Sequence, residues 1–363
     1  MFREVIPLRT MLLQTKRINP VAIVFIVILV IVFVNYGAQD VLRIVDAQYT
    51  DQHYYKLSYD GVLNNLYFER GYLFITSLFK QLGFSYLQFK LIAASAATIL
   101  IYFSIGSFNI NYCFVLFLYF ISSFQTDLEQ SRCFFAMSLV IYAMRYLLNQ
   151  GVMNTVKYSA LIIIAGTIHT VALFFLVLLL CNYKKGYNIL NLLFPIIVVV
   201  SVPIKEVPQV RQLIISLIYF VTKSERVAIF LAFTTGLGFY ACVIMHGALL
   251  LLFNHYRKML KDHVFKDDRA YNYVRVVYRC LQLLSLAIPL YIFSTEFLRM
   301  FRSLFIMFYV AILICAKEAD DLYGYKRSTA WADISLIAFV AFYNIVFNPI
   351  SITSSYYRAI MSL

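Results

Sequence analysis

Charge is what this sequence has least of. Only 13% of its 363 residues are Asp, Glu, Lys or Arg, about half the roughly 25% of a soluble domain. A chain with 62% hydrophobic residues cannot cover a water-facing surface of this size. That excludes a soluble cytosolic enzyme, a secreted domain and a disordered chain. Acids are scarcer than bases, with 18 Asp+Glu against 31 Lys+Arg. In a soluble protein a net charge of +13 would point to nucleic acid. In a membrane protein it reflects bases retained in cytoplasmic loops, so no nucleic-acid partner is expected. The six cysteines, Cys113, Cys133, Cys181, Cys242, Cys280 and Cys315, lie in or beside apolar segments and form no CxxC. They read as small core residues, not as a disulfide frame or a metal site.

Cofactor motifs are missing too. There is no GxxxxGK[ST], no GxGxxG in a strand–helix context, no HExxH or Cys/His cluster, and no GxSxG. An ATPase module, a dinucleotide fold, a zinc site and a serine-hydrolase elbow are therefore not indicated. No cofactor is expected.

Apolar runs are what the sequence has in quantity. Residues 20–36 are uncharged and follow Arg3, Arg9, Lys16 and Arg17. The run is too long for a signal peptide and lacks a small-residue cleavage site, so it reads as a retained anchor with a cytoplasmic N-terminus. Residues 71–88 are interrupted by Lys80 and Gly83 and suit a re-entrant or interfacial helix pair. Residues 91–126 carry no charge. As one helix they would extend about 54 Å, beyond a hydrocarbon core of about 30 Å. Two spans are expected, broken at 106–111, where Gly, Ser and Asn cluster. Further spans are expected at 132–148, 188–204, 228–254, 274–293, 298–316 and 330–348.

Residues 156–182 decide the topology. If they cross once, Lys184, Lys185 and the basic loop with Arg257, Lys258, Lys261, Lys266, Arg269 and Arg275 fall outside, against the positive-inside rule. A break near 166–169 returns both loops to the cytoplasm. Short broken helices are tolerated where their freed backbone groups line a protein-enclosed or wet cavity, so the charge pattern itself argues for a polar cavity at His169. The expected fold is all-α: one polytopic integral membrane domain over 1–363 with about 10–11 transmembrane helices, broken or re-entrant short helices and an outward-facing cavity. Outer loops are expected at 37–88 and 205–227, and cytoplasmic basic loops at 255–274 and 317–329. The stretch 205–226 reads as an interfacial amphipathic helix.

On this topology Glu69, Arg70, Asp127, Glu129, Arg132, His169, Arg211, Glu225, Arg226, Glu296, Arg299 and Arg302 gather on the outer side. Arginine beside an acid recurs at Glu69/Arg70, Glu129/Arg132, Glu225/Arg226 and Glu296/Arg299. The i, i+3 spacing of the second and fourth puts both groups on one helix face. Each pair can be read as an interfacial ion pair. Together they also suit a lipid-linked diphosphate, which arginine grips in a fork. His169 is either a satisfied core histidine or a functional intramembrane group; His246 reads as structural. The tyrosines of 49–72 either stack on sugars or form an interfacial belt.

Glu69-Arg70-Gly71-Tyr72, Gln130-Ser131-Arg132-Cys133-Phe134-Phe135-Ala136 and Ala165-Gly166-Thr167-Ile168-His169-Thr170-Val171-Ala172 resemble, in that order, the E-x-G-Y, I-R-Q-x-(I/L)-A and A-x-x-x-H-x-(S/T)-A elements of the EpsG family. These are Wzy-type polymerases of O-antigens, capsules and exopolysaccharides. The sequence departs at Ser131-Arg132-Cys133, where the glutamine precedes the arginine. The resemblance covers about 65–185, with a weaker echo at Glu296-Phe297-Leu298-Arg299.

The resemblance implies a metal- and nucleotide-independent glycosyltransferase in the bacterial cytoplasmic membrane. It would move a growing glycan from undecaprenyl diphosphate onto the non-reducing end of a lipid-linked repeat unit. Its partners would be the undecaprenyl-diphosphate-linked oligosaccharide, the lipid bilayer and a chain-length regulator protein. The catalytic candidates are His169 and Glu69 as bases and Arg132 for the diphosphate, with Arg226 and Arg299 assisting. Arg70, Tyr72, Glu129 and Arg211 complete the substrate-binding set. A membrane glycosyltransferase using a polyprenyl-phosphate sugar and a lipid-linked glycan flippase remain as alternatives.

Overall fold

The computed structural model describes residues 51–62, 68–105, 108, 110–149, 151–182, 187–222, 235–260, 265, 268–323 and 327–347. The expected anchor at 20–36 and the N-terminal bases lie outside the described residues, as do half of the expected break at 106–111 and most of the loop 261–267.

Every regular element among the described residues is a helix. In chain order these are α1 (Asp51–Asp60), α2 (Arg70–Gln81), α3 (Tyr86–Ile105), α4 (Tyr112–Tyr119), α5 (Gln125–Glu129), α6 (Ser131–Ala143), α7 (Val152–Ile168), α8 (Tyr187–Glu206), α9 (Pro208–Thr222), α10 (Leu237–Met259), α11 (Asp268–Leu283), α12 (Arg299–Arg302), α13 (Phe305–Tyr323) and α14 (Arg327–Phe347). A π-helical turn, Phe120–Phe124, joins α4 to α5, and 3₁₀ segments follow α6, α7 and α11.

Local sequence explains the boundaries that matter for the site. α2 ends before Gly83, whose φ of +84° is left-handed backbone that glycine adopts without strain. α3 then opens with a capping box: Ser85 N–H donates to Gln88 Oε1 at 2.8 Å and Gln88 N–H to Ser85 Oγ at 3.3 Å. α4 opens at Asn111, whose side chain accepts from Phe114 N–H at 3.2 Å.

Among the described residues four helices are long and apolar enough to cross a membrane: Tyr86–Ile105, Leu237–Met259, Asp268–Ile292 and Arg327–Phe347. A fifth is possible if Leu190–Glu206 and Pro208–Leu217, which bend by 103°, form one span. The protein is thus an all-α membrane protein with broken helices. Other expected spans take up shorter or interrupted helices. The second half of 91–126 is the short apolar stretch Tyr112–Phe124, the expected 132–148 is α6 plus a 3₁₀ turn, and the expected 298–316 begins with α12 and restarts at Phe305. The expected interfacial segment 205–226 coincides, as far as Thr222, with the sharp bend and α9.

The run around His169 does not cross straight. α7 stops at Ile168, His169 is extended (φ −150°, ψ 118°), and a 3₁₀ helix runs over Thr170–Asn182. The two arms fold back on each other, because the Tyr158 hydroxyl donates to the Phe175 carbonyl at 2.6 Å. In one continuous helix those residues would be about 25 Å apart along the axis. Small residues make the fold-back possible. A Cβ at Gly166 would lie 2.4 Å from Leu173 Cδ2, and Ala165 and Ala172 are fully packed. α6 packs extensively against both α3 and α7, so Arg132, at its start, is delivered to the mouth of this hairpin.

Candidate active site

The break at His169 leaves backbone groups that need partners. His169 N–H still reaches Ala165 O at 2.9 Å, and His169 O accepts from Ala172 N–H at 2.9 Å. Thr170 N–H has no carbonyl to bond; it donates to Glu69 Oε1 at 3.1 Å. Thr170 Oγ1 donates to the same oxygen at 3.0 Å, and His169 Nδ1 lies 3.0 Å from it. The second carboxylate oxygen, Oε2, accepts from Arg132 Nη1. Glu69 therefore closes the N-terminal end of the 3₁₀ arm, where an anion is favoured, and bridges Arg132 to His169.

Glu69 is brought there by α2, which it immediately precedes. α2 must approach α7 closely, since a Cβ at Gly71 would sit 2.3 Å from Thr167 Oγ1 and 2.7 Å from the Thr167 carbonyl oxygen. Only glycine allows that approach, which accounts physically for the glycine of Glu69-Arg70-Gly71-Tyr72.

Glu69 lies outside the span-length helices. Burial alone would raise its pKa. The His169 hydrogen bond, the Arg132 charge and the Thr170 N–H outweigh that and lower it from 4.5 to about 2. The carboxylate is thus ionised. A hydrogen bond from His169 Nδ1 to an ionised carboxylate places a proton on Nδ1, which leaves Nε2 as the ring nitrogen available to another group.

The Arg132 guanidinium is held within an aromatic enclosure, 4.6 Å from the Phe68 ring centroid, 5.3 Å from Tyr55 and 5.9 Å from Tyr72. Each ring presents its negative face to the cation. The side chains of Arg132, Glu69 and His169 retain 16%, 19% and 12% exposure, and Thr170 is exposed. The cluster is half-buried with an open edge.

The turn before Arg132 is pinned from two directions. Gln52 of α1 donates to the Leu128 carbonyl at 3.0 Å, to the Glu129 carbonyl and to Ser131 Oγ at 3.1 Å, while its own oxygen accepts from Tyr86 OH at 2.9 Å. On the other side Arg302 forms a buried ion pair with Asp127. Nε donates to Oδ1 at 3.0 Å, and Nη2 lies 2.9 Å from Oδ1 and donates to Gln130 Oε1 at 2.9 Å. Tyr119 OH donates to Asp127 Oδ2 at 3.1 Å.

Of the residues expected at the site, Glu69, Arg132 and His169 meet. The other expected residues take different positions. The carboxylate that Arg132 pairs with is that of Glu69, 63 positions away. Glu129 is exposed and lies in electrostatic range of the buried Lys90. Tyr72 is 1% exposed, so it forms a wall of the Arg132 enclosure and presents no face to a sugar. Arg70 is exposed. Arg211 donates to the Lys205 carbonyl at 3.1 Å and so holds the bend between α8 and α9. Arg299 lies close enough to Cys133 to act on it electrostatically. Arg226 and the side chain of Glu296 lie outside the described residues. His246 is buried between the Phe194 and Phe301 rings, with Nε2 2.8 Å from the Leu281 carbonyl.

Sequence reasoning did not single out Gln52, Lys90, Phe68 or Thr170. Lys90 carried the clearest signal, a cation inside the apolar helix Tyr86–Ile105.

A profile of the EpsG family matches residues 21–358. The chain belongs to the EpsG family. The match extends far beyond the short elements around the site and covers nearly all of the chain. EpsG-family chains are exopolysaccharide and Wzy-type polymerase-like membrane proteins, which makes this a membrane protein of polysaccharide biosynthesis. The three EpsG elements converge here: the first supplies Glu69 and Gly71, the second Arg132, and the third His169 with the fully packed Ala165 and Ala172. No curated protein and no solved structure is significantly similar to the chain.

Proposed function

We propose that this EpsG-family protein is a polysaccharide polymerase. It transfers a growing glycan from undecaprenyl diphosphate to the non-reducing end of a lipid-linked repeat unit, at the outer face of the bacterial cytoplasmic membrane. The observation that carries this reading is the Glu69 carboxylate bridging Arg132 and His169 at the mouth of a broken helical hairpin.

In the reaction the anomeric C–O bond to the donor diphosphate breaks, and a new C–O bond forms to an acceptor hydroxyl. The hydroxyl proton passes to His169 Nε2. The bridging oxygen leaves with undecaprenyl diphosphate, which carries the negative charge. Glu69 holds the His169 ring by Nδ1 and stabilises the imidazolium, as a carboxylate does behind a catalytic histidine. With a pKa of about 2 and both oxygens accepting hydrogen bonds, Glu69 orients the base and does not itself act as one. Arg132 places positive charge beside the departing diphosphate, and Arg299 adds to the same field. The chemistry uses only these side chains.

The reading is tested by the lipid-linked products of cells carrying the wild-type protein or none. A polymerase yields a ladder of repeat units that collapses to a single unit in its absence. Addition of one sugar and no ladder would show a simple transferase. Loss of lipid-linked glycan from the outer leaflet, with a normal inner pool, would show a flippase.

A further inference from the structure

A second arginine cluster lies apart from the Glu69 site. A cavity of about 350 Å³ opens between α8, α10, α11 and α13, a volume typical of ligand sites. Arg257, Arg275 and Arg279 line it, and among the described residues its wall contains no carboxylate. No residue is shared with the Glu69–Arg132–His169 cluster.

The arginines descend into the cavity. Arg257 is exposed, Arg275 is half-buried and Arg279 is 2% exposed. Arg275 and Arg279 are four apart on α11 and so share a helix face. Arg257, from the last turn of α10, lies over the Tyr278 ring at 4.3 Å, which fixes its plane. Arg279 Nη1 is anchored on the Cys181 carbonyl. The Nε of Arg275 is buried without a hydrogen-bond partner, a donor placed where native proteins rarely leave one unmet. Neutral polar groups complete the wall: Gln282 Nε2 donates to Asn191 Oδ1 at 2.7 Å, and Tyr278 OH donates to Asn254 Oδ1 at 2.7 Å.

We propose that this cavity binds a phosphate group. Forked, permanently charged guanidiniums match tetrahedral phosphate oxygens, and a half-buried cluster of like charges gains most from an anion that enters it. The cavity lies where the basic 255–275 segment begins, the end of the molecule assigned to the cytoplasm by the positive-inside rule. The phosphate comes either from an anionic lipid headgroup of that leaflet or from a soluble phosphate.

The test uses the full chain in nanodiscs of phosphatidylcholine, with thermal unfolding as the readout, since a ligand that binds only the folded state raises Tm with its concentration. In one arm inorganic phosphate is added at ionic strength matched with chloride. In the other, phosphatidylglycerol replaces part of the phosphatidylcholine. A rise in the first arm identifies a soluble anion, and a rise confined to the second identifies a headgroup. Arg257→Gln/Arg275→Gln, both at positions with some exposure, should weaken the response about tenfold or more. Arg132→Gln, at the other cluster, should retain it. No rise in either arm for the wild type would overturn the proposal, and so would a response lost in Arg132→Gln but kept in the double variant.

Discussion

Glu69 Oε1 lies 3.0 Å from His169 Nδ1, across 100 positions of chain. This one contact explains why the apolar run of α7 breaks where it does. The carboxylate accepts the Thr170 N–H that the break strands and at the same time fixes the His169 ring. An otherwise costly interruption of a membrane helix is held in place by the same groups that make up the site.

The charge of Glu69 carries a pH signature. Its pKa is lowered from 4.5 to about 2, so the unfolded state binds the proton more tightly than the folded one. The stabilisation from the ionised cluster is therefore complete above about pH 4.5 and is lost as pH falls through about 2. Glu69→Gln should lower Tm near neutrality, by roughly 1–3 kcal/mol of stability, and the gap from wild type should narrow across that acid window. A gap independent of pH would contradict the assignment. Activity should be largely lost in Glu69→Gln, because the His169 ring loses its anchor.

Gly71→Ala tests the helix approach. The added methyl would sit 2.3 Å from Thr167 Oγ1 and 2.7 Å from a backbone oxygen. Relief requires α2 to move away from α7, at about 1–3 kcal/mol for such overpacking. The shift withdraws Glu69 from His169, so polymerisation should fall more than stability. Unchanged Tm and ladder in Gly71→Ala would show that the contact is not needed.

Asp127 and Arg302 are buried together, 2.9 Å apart. Arg302→Met alone should destabilise by about 3–5 kcal/mol, because it strands a buried carboxylate. Asp127→Leu combined with Arg302→Met should be markedly less harmful than either change alone. Chemical denaturation of the three variants reads this directly. Equal losses that simply add would mean that the two residues act independently.

Different parts of this molecule were legible in the sequence for different reasons. The break at His169 followed from where the lysines and arginines fall, because the positive-inside rule acts on whole loops and leaves a clear record. The pairing of Arg132 did not. The i, i+3 rule sees only neighbours on one helix and pointed to Glu129, whereas the carboxylate that Arg132 meets arrives from another helix through the glycine contact at Gly71 and Thr167. Tyr72 could be placed near the site, but burial decides whether a tyrosine faces a sugar or a neighbouring ring, and local sequence does not encode that direction. Among the described residues four to five helices are of span length, and the other expected spans fall on shorter or interrupted helices or outside the described residues. Hydropathy does not register the π turn at Phe120–Phe124, the 3₁₀ arms or the bend of 103° before Pro208.

The central claim is that His169, oriented by Glu69, takes the proton from the acceptor hydroxyl. The most direct measurement is polymerisation of lipid-linked repeat units by purified wild-type protein and by His169→Gln at matched concentration and fold. The account predicts a full ladder from the wild type and a rate at least about 100-fold lower from His169→Gln, with single repeat units persisting. A ladder of normal length and rate from His169→Gln would contradict it.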